Sequence, residues 1–371
     1  MALTLDDIKA ARNLQVDADA WQLVREAAWK RIEQVGTPRP RSNEFFFIPL
    51  SLFAQINLPK AAKPTATKLP TALTDAWVTA LESEKDLASL LPTLLTTAPT
   101  LYEIKDNGAW QNVEITSNCP YALHLVTVRE KARVRIFWKT SQGIFNAERL
   151  DLRAGADSQV EVIVDGFSAK KDSQNLRHSH VHLDAKAKIE WLETDAGTSL
   201  TRSSLDAHLA GAKADFSFRA LSILEGTSHS HRRLRVTHEA PEVHSEQFIR
   251  HVLQGESQAS CDTQVEILHG VQGTEAHQLV NSLLLSDHAK VSAKPTLVIH
   301  NEDVKASHGT TCGDLYRNQL FYLNSRGLTI GEARRLLLGA FGASLLEAHS
   351  ESPLRKQLRA GFDQLLALRF A

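Results

Sequence analysis

Polar and apolar residues alternate with a period of two through the middle of this 371-residue chain, and with a period near 3.6 at both ends. The alternating runs include ARVRIFWK (132–139), QVEVIVDG (159–166), HSHVHLDAKAKIEW (178–191) and DFSFRALSIL (215–224). HRRLRVTH (231–238), TQVEILHG (263–270) and PTLVIH (295–300) continue them. Alternation places successive side chains on opposite faces of an extended strand. Two architectures accommodate so many strands: an antiparallel sandwich or barrel, and a parallel solenoid. Hairpin turns of the Asn-Gly or Asp-Gly kind are confined to Asp106-Asn107-Gly108 and Asp165-Gly166. Short bends of small residues recur instead, in HLAGAKADF (208–216), VLQGESQAS (252–260) and LLLSDHAKV (283–291), each like the corner of a coil. The corners favour the solenoid, although their period is too loose to read as a repeat.

The flanks are helical. Ala10, Leu14, Ala18, Trp21 and Val24 keep a helical period over residues 1–36, and Gly36-Thr37-Pro38 ends that run. Six prolines between Pro38 and Pro70 exclude a long helix and predict a partly extended connector. A second helix is expected from Thr74 to Leu95, with Trp77, Leu81, Leu87 and Leu90 on its apolar side. At the other end, Asp314 is placed to cap a helix reaching Ser325, with Gly327 at its C′ position. Thr329 and Glu332 have capping-box spacing, opening a helix with Ile330, Ala333, Leu337, Ala340, Phe341 and Leu345 on one side. Ser352-Pro353 starts a last helix bearing Leu354, Leu358, Phe362, Leu365 and Leu366. Three short helices would then form a compact bundle on the end of the solenoid. The predicted organisation is an N-terminal helical region with a proline-rich connector (1–100), a β core (101–304) and a C-terminal helical domain (305–371).

A formal net charge of -1 argues against a nucleic-acid or membrane-surface role, either of which would want a basic excess. No apolar run is long enough to span a membrane, and MALTLDDIKAARNLQ lacks the basic and apolar regions of a secretory signal. Cys119, Cys261 and Cys312 are too few and too dispersed for a disulfide framework. A cytoplasmic address follows.

Sixteen histidines stand out. His178, His180 and His182, at i, i+2 and i+4, share one strand face and could hold zinc or iron in a metal-dependent β-fold enzyme. The competing reading is an exposed strand face, because no carboxylate follows at the right distance and no second histidine motif appears. The three cysteines form no C-x-x-C pair and read more simply as small buried hydrophobes, Cys312 least so. No Gly-Lys pair occurs, which excludes a phosphate-binding Walker loop. Neighbouring Ser-His pairs such as Ser307-His308 do not by themselves make a catalytic triad. Asn301 to Gly327, NEDVKASHGTTCGDLYRNQLFYLNSRG, hands an extended segment over to a helix, with His308 and Cys312 in the crossing. They could share a metal only if that loop folds back.

The same stretch carries a resemblance. Lys305, Ser307-His308-Gly309, Gly313, Asp314, Gln319-Leu320-Phe321-Tyr322-Leu323 and Ser325-Arg326-Gly327 resemble the C-terminal signature of the SufB/SufD family of iron–sulfur cluster assembly proteins. The likeness extends loosely upstream through NSLLLSDHAKVSAKPTLVIHNEDV, about 70 residues in all. The chain is more similar to the SufD branch than to the SufB branch. It has Ser307-His308-Gly309 where SufB carries a Glu-His-Glu type run, and Val280 before Asn281-Ser282-Leu283-Leu284 where SufB has a cysteine. The resemblance implies a right-handed parallel β-helix flanked by helices, acting as a non-catalytic scaffold of the SUF system. It implies a SufB-like partner along the end and edge of the β-helix, and a SufC-like ABC ATPase on the C-terminal helices, with Gln319, Tyr322 and Arg326 as docking candidates. It makes His308 the candidate ligand of iron or a nascent cluster shared with SufB. No intrinsic cofactor is expected; reduced flavin in the complex and a homodimer of the lone chain are compatible with it. Cys312 departs from the commoner small residue and inherits no role.

Overall fold

The computed structural model describes residues 4–11, 20–37, 58–59, 81, 84, 86–96, 98–117, 119–346 and 352–370. Sixteen strands wind alternately into two parallel sheets of eight. The first sheet holds β1 (Thr100–Ile104), β3 (Tyr121–Val128), β5 (Phe145–Ala154), β7 (Gln174–Leu183), β9 (Leu200–Leu209), β11 (His229–His238), β13 (Gln258–Ile267) and β15 (Lys290–Ile299), in that order. The second holds β2 (Trp110–Ile115), β4 (Arg133–Lys139), β6 (Gln159–Asp165), β8 (Lys188–Asp195), β10 (Asp215–Leu224), β12 (His244–Leu253), β14 (Thr274–Leu284) and β16 (Val304–Gly313). Asp215 pairs with His244 and His229 with Gln258, so a turn of the solenoid takes about 29 residues. The corners expected at 208–216, 252–260 and 283–291 all join one sheet to the other. HSHVHLDAKAKIEW instead breaks into two strands at a turn over 184–187.

One column of corners repeats closely. Lys131, Asp157, Lys186, Lys213 and Glu242 all have φ between 56° and 62°, a left-handed conformation that costs an L-residue about 1–2 kcal/mol. Each sends its backbone N–H to the adjacent coil: Lys131 to Ala156, Asp157 to Ala185, Lys186 to Ala212, Lys213 to Pro241 and Glu242 to Gln272, over 2.9–3.1 Å. The rungs between coils offset the strain.

Inward side chains form one long core, including Ile136, Trp138, Val162, Trp191, Phe218, Leu234 and Val265. Helices cover the outer faces. On the first sheet, α1 (Leu5–Ala11), α2 (Ala20–Val35) and α3 (Leu87–Leu95) share a cluster with Leu123, Phe145, Leu176 and Leu200. Every residue of α3 is buried. Asp86 fixes it: the carboxylate accepts from the Ala88 N–H at 2.9 Å and pairs with Arg202 at 2.6 Å, with Arg233 at 3.6 Å. Burial alone would raise its pKa, but Arg202 and Arg233 overrule this and hold it well below the usual carboxylate range. The connector expected over 38–70 and the helix start expected from Thr74 lie outside the described residues, apart from Leu58 and Pro59.

The C-terminal helices differ from expectation in position. α5 (Ile330–Leu346) and α6 (Pro353–Arg369) lie on the outer face of the second sheet, not on the end of the solenoid. Leu338, Leu345, Leu358, Phe362 and Leu366 meet Phe137, Ile163, Leu192, Leu221 and Val252 there, because those outward strand positions are apolar and need cover. α5 buries Ala333 and Leu345 and half-buries Leu337 and Phe341 as its sequence period suggested, but it also buries Leu338 and Gly342 and leaves Ile330 and Ala340 exposed. Buried Arg355 locks α6 to the sheet through Glu161 at 2.6 Å and Glu190 at 2.7 Å. The predicted caps form, that of Asp314 excepted: Thr329 and Glu332 exchange hydrogen bonds, Ser352 accepts from the Arg355 N–H, and Gly327 has φ 93°.

Two glycines test the packing in opposite senses. A Cβ at Gly211 would lie 1.9 Å from the Ala185 nitrogen, backbone of the adjoining coil, whereas one at Gly361 in α6 meets nothing within 4 Å. Gly211→Ala should cost about 1–3 kcal/mol or more, and Gly361→Ala should stabilise by about 0.5–1 kcal/mol. Urea-denaturation midpoints of the two variants check both signs.

Candidate functional site

The sequence signature Val304–Gly313 is a strand, not a loop between sheet and helix. β16 carries the parallel ladder past the expected boundary at Val304 to Gly313, paired residue for residue with β14. α4 (Arg317–Ser325) begins three residues later with Tyr316 as its N-cap and no side-chain cap bond. Asp314 instead accepts from the adjacent Leu315 N–H. In an extended strand His308 and Cys312 stand about 13 Å apart, at roughly 3.3 Å per residue. They do not share an ion.

Both residues belong to inward rows. The row through His308 runs Val113, Ile136, Val162, Trp191, Phe218, Gln247, Gln278, His308. It is apolar for five coils and turns polar toward the end. Gln278 donates to Gln247 at 3.2 Å, and its buried carbonyl oxygen, one rung below His308, has no partner among the described residues. Cys312 ends a second polar row of Asp195, Ser222, His251 and Ser282. Nothing among the described residues covers this last coil, so His308 and Cys312 are exposed although their row is interior. Around them lies an apolar rim: Ala293, Leu297, Val304 and Ala306 pack on the core from the last coil, and Ile299 is over a third exposed. The free edges of β15 and β16 present backbone N–H and C=O groups available to another strand.

α4 buries none of its residues. Gln319, Tyr322 and Arg326 are all exposed, with the Arg326 guanidinium 5.2 Å from the centre of the Tyr322 ring. Phe321 is 75% exposed and Tyr316 74%. Beside it, a cavity of about 610 Å³ opens between α5 and α6, floored by Leu336, Gly339, Ala340 and Leu366 and rimmed by Glu332, Arg335, Arg359 and Asp363.

The three-histidine strand does not converge. His178, His180 and His182 share the outer face of β7, but each has a different environment. His178 is buried beneath the N-terminal helices, bonded to Ser204 at 2.9 Å and 3.7 Å from Glu84. His180 lies against the His208 ring, centroids 5.1 Å apart, and His182 meets Asp184 at 3.2 Å. Among the described residues no group of three or more His, Cys, Asp and Glu side chains is arranged to hold a metal ion. The metal-enzyme expectation therefore finds no centre here.

The histidines have a structural explanation. His178, His231, His251 and His277 each share a hydrogen bond with the serine in register one coil on: Ser204, Ser260, Ser282 and Ser307. His238 bridges Thr274 and Ser245. These contacts are rungs between coils.

With that geometry in place the chain can be compared with known proteins. The family described as SUF system FeS cluster assembly, SufBD core domain, matches residues 113–341. The chain belongs to the SufB/SufD family. The match begins within β2, covers β3 to β16 and reaches into α5, so it includes the strand with His308 and all of α4. A protein of Arabidopsis thaliana named ABCI7, chloroplastic, is 32% identical over 197 residues, 52% of this chain and 41% of that protein. A SufBD family protein of Synechocystis is 29% identical over 220 residues, 59% of this chain and 48% of its own length. The iron–sulfur cluster assembly protein SufD of Escherichia coli is 28% identical over 222 residues, 60% and 52%. The chain thus spans about half the length of the curated relatives it matches.

The buried histidines predict how this SufB/SufD-family fold responds to acid. Burial lowers His124 to about 4; burial with the His244 charge does the same for His238, and burial with Arg232 takes His251 to about 3. His231, also buried, is lowered well below its ordinary value. The unfolded chain, with histidine near 6.5, binds more protons between these values, so stability is complete above pH 6.5 and falls as the pH drops toward 4. Glu148 opposes this, since burial raises it to about 7 against the pull of Arg177. With His180, which burial also lowers to about 4, the histidines outnumber it, and unfolding at pH 5 should take up about four protons. Urea midpoints between pH 4 and 7 measure the slope; a flat profile would contradict the buried neutral rungs.

Proposed function

We propose that this chain is the SufD-like scaffold subunit of an iron–sulfur cluster assembly complex. Its open last coil receives a SufB-like subunit, and iron or a nascent cluster is handled at that junction as cargo. The observation that carries the reading is an interior row of a solenoid ending, uncovered, in His308. Extending the ladder across β15 and β16 would satisfy the free strand edges, bury the apolar rim and set His308 between two chains. A single exposed imidazole fits a shared ligand and not a complete site, so the remaining donors come from the partner. His308 either ligates iron or orients a ligand from the other chain.

The chain performs no covalent chemistry of its own in this reading. It has no phosphate-binding loop in its sequence, and ATP hydrolysis belongs to a SufC-like ABC ATPase docked on α4 and the groove between α5 and α6. Tyr322, Arg326 and Gln319 are the contact candidates, supported by a helix with no fully buried residue and with Phe321 and Tyr322 exposed. Closure of the two ATPases would push α5 and α6, which are fixed to the second sheet by Arg355, Arg250 and Arg369. The push then reaches the sheet whose last strand bears His308, biasing the junction between two arrangements. Reduced flavin, where iron must be reduced, would enter with the complex and not with this chain alone. The work is cytoplasmic; no helix among the described residues is long and apolar enough to cross a membrane.

Co-expression with SufB-like and SufC-like partners tests the reading. The expected native mass is one SufB, one copy of this chain and two ATPases. His308→Ala should leave that mass unchanged and reduce cluster formation on the complex by at least about tenfold, the loss of roughly 1.4 kcal/mol at one ligand. Normal cluster formation by the variant would remove the ligand role. A chain that remains monomeric or homodimeric beside both partners would remove the scaffold role.

A further inference from the structure

Far from the open end, the β2–β3 and β4–β5 corners enclose a cavity of about 650 Å³ that the scaffold role leaves unused. That volume suits a small organic ligand. Pro59, Pro120, Ile144 and Phe145 make apolar walls, and among the described residues no charged side chain lines it. Two groups give it chemistry. Cys119 is a free, exposed thiol on its wall. Asn146 lines the same cavity, is 1% exposed, and its Oδ1 has no partner among the described residues.

The orientation of Asn146 is fixed by its donors. Its Nδ2 gives hydrogen bonds to the Ser141 oxygen at 3.2 Å, the Gly143 oxygen at 3.1 Å and Asn175 Oδ1 at 2.8 Å. Asn175 is itself fixed as the acceptor there, because its own Nδ2 donates to Ser173. Every donor of Asn146 is thus used, and the acceptor is left over. A buried acceptor without a partner costs stability unless something supplies a hydrogen. Gly143 keeps the space open: a Cβ on it would stand 2.6 Å from Asn146 Oδ1.

We propose that this cavity binds a small uncharged disulfide bearing an amide N–H, which donates to Asn146 Oδ1 while Cys119 captures half of the molecule. The chemistry is thiol–disulfide exchange. The Cys119 thiolate attacks one sulfur of the ligand, the new sulfur–sulfur bond forms as the old one breaks, and the departing thiolate takes up the proton that Cys119 released. No separate oxidant is needed, because the ligand disulfide is the electron acceptor. Cavity and acceptor together make Cys119 selective, where Cys312 on the open strand is only accessible.

The test uses the full chain and two probes, bis(2-acetamidoethyl) disulfide and its N-methylated counterpart, which has no N–H. Site-resolved mass spectrometry follows the mixed disulfide at Cys119, with Cys312 in the same molecules as the internal control. Cys119 labelling should saturate with the N–H probe and run about tenfold faster than with the methylated one, while Cys312 responds linearly and equally to both. Gly143→Ala should abolish the preference at Cys119 by crowding the acceptor. The comparison of probes on the unaltered chain decides the matter even if that variant folds poorly. Linear labelling at Cys119, or an equal rate with the two probes, overturns the proposal.

Discussion

Each interior coil of this solenoid is held by the coils on either side, whereas the first coil (β1, β2) and the last (β15, β16) each have a neighbouring coil on one side only. That asymmetry follows from parallel, in-register stacking: backbone groups of every strand point along the solenoid axis to the next coil, and inward side chains form rows along it. A row can be closed only by another coil. The N-terminal helices cover the β3–β9 part of one outer face and α5 and α6 pack on the other, while the last coil keeps its inward row open at His308 and offers a place for a partner. The same stacking makes His308 unusual. It occupies a core position whose core is unfinished.

The helices are attached by ion pairs placed under apolar cover. Asp86 joins α3 to Arg202, and Arg355 joins α6 to Glu161 and Glu190. Taking such charges out of water is costly, and a buried pair stabilises little over an apolar substitute; breaking one partner, however, leaves an uncompensated charge worth about 3–5 kcal/mol. Their effect is to fix position. A helical layer that cannot slide over the sheet moves with it, which suits a scaffold asked to pass a displacement from an ATPase to a distant strand.

Much of the fold was legible in the sequence. DFSFRALSIL is β10 residue for residue, and the small-residue corners pointed to a solenoid. Strands such as FNAERLDLRA and LTRSSLDAHL were harder to see, because helices bury the outer side of their first halves and erase the alternation. The position of the C-terminal helices was misjudged for a related reason: their apolar faces say that they pack, and the apolar outward residues Phe137, Ile163 and Leu192 that receive them are spread over three coils. At the site, the family signature singled out His308, while the row behind it could not be read. Gln247 and Gln278 become neighbours only when the coil length is known. The unpartnered oxygen of Asn146 had no sequence signal at all, since a filled and an unfilled amide look the same in sequence.

The central claim is that the uncovered end of β15 and β16 is the junction with a SufB-like subunit. Hydrogen exchange on the purified chain, alone and with that subunit added, addresses it most directly. The account predicts that the amides of Lys290–Ile299 and Val304–Gly313 that face away from β13 and β14 exchange rapidly in the free chain and become strongly protected on binding, with α2 and α3 unchanged. Binding that leaves those two strands as exposed as before, and protects another surface instead, would contradict it.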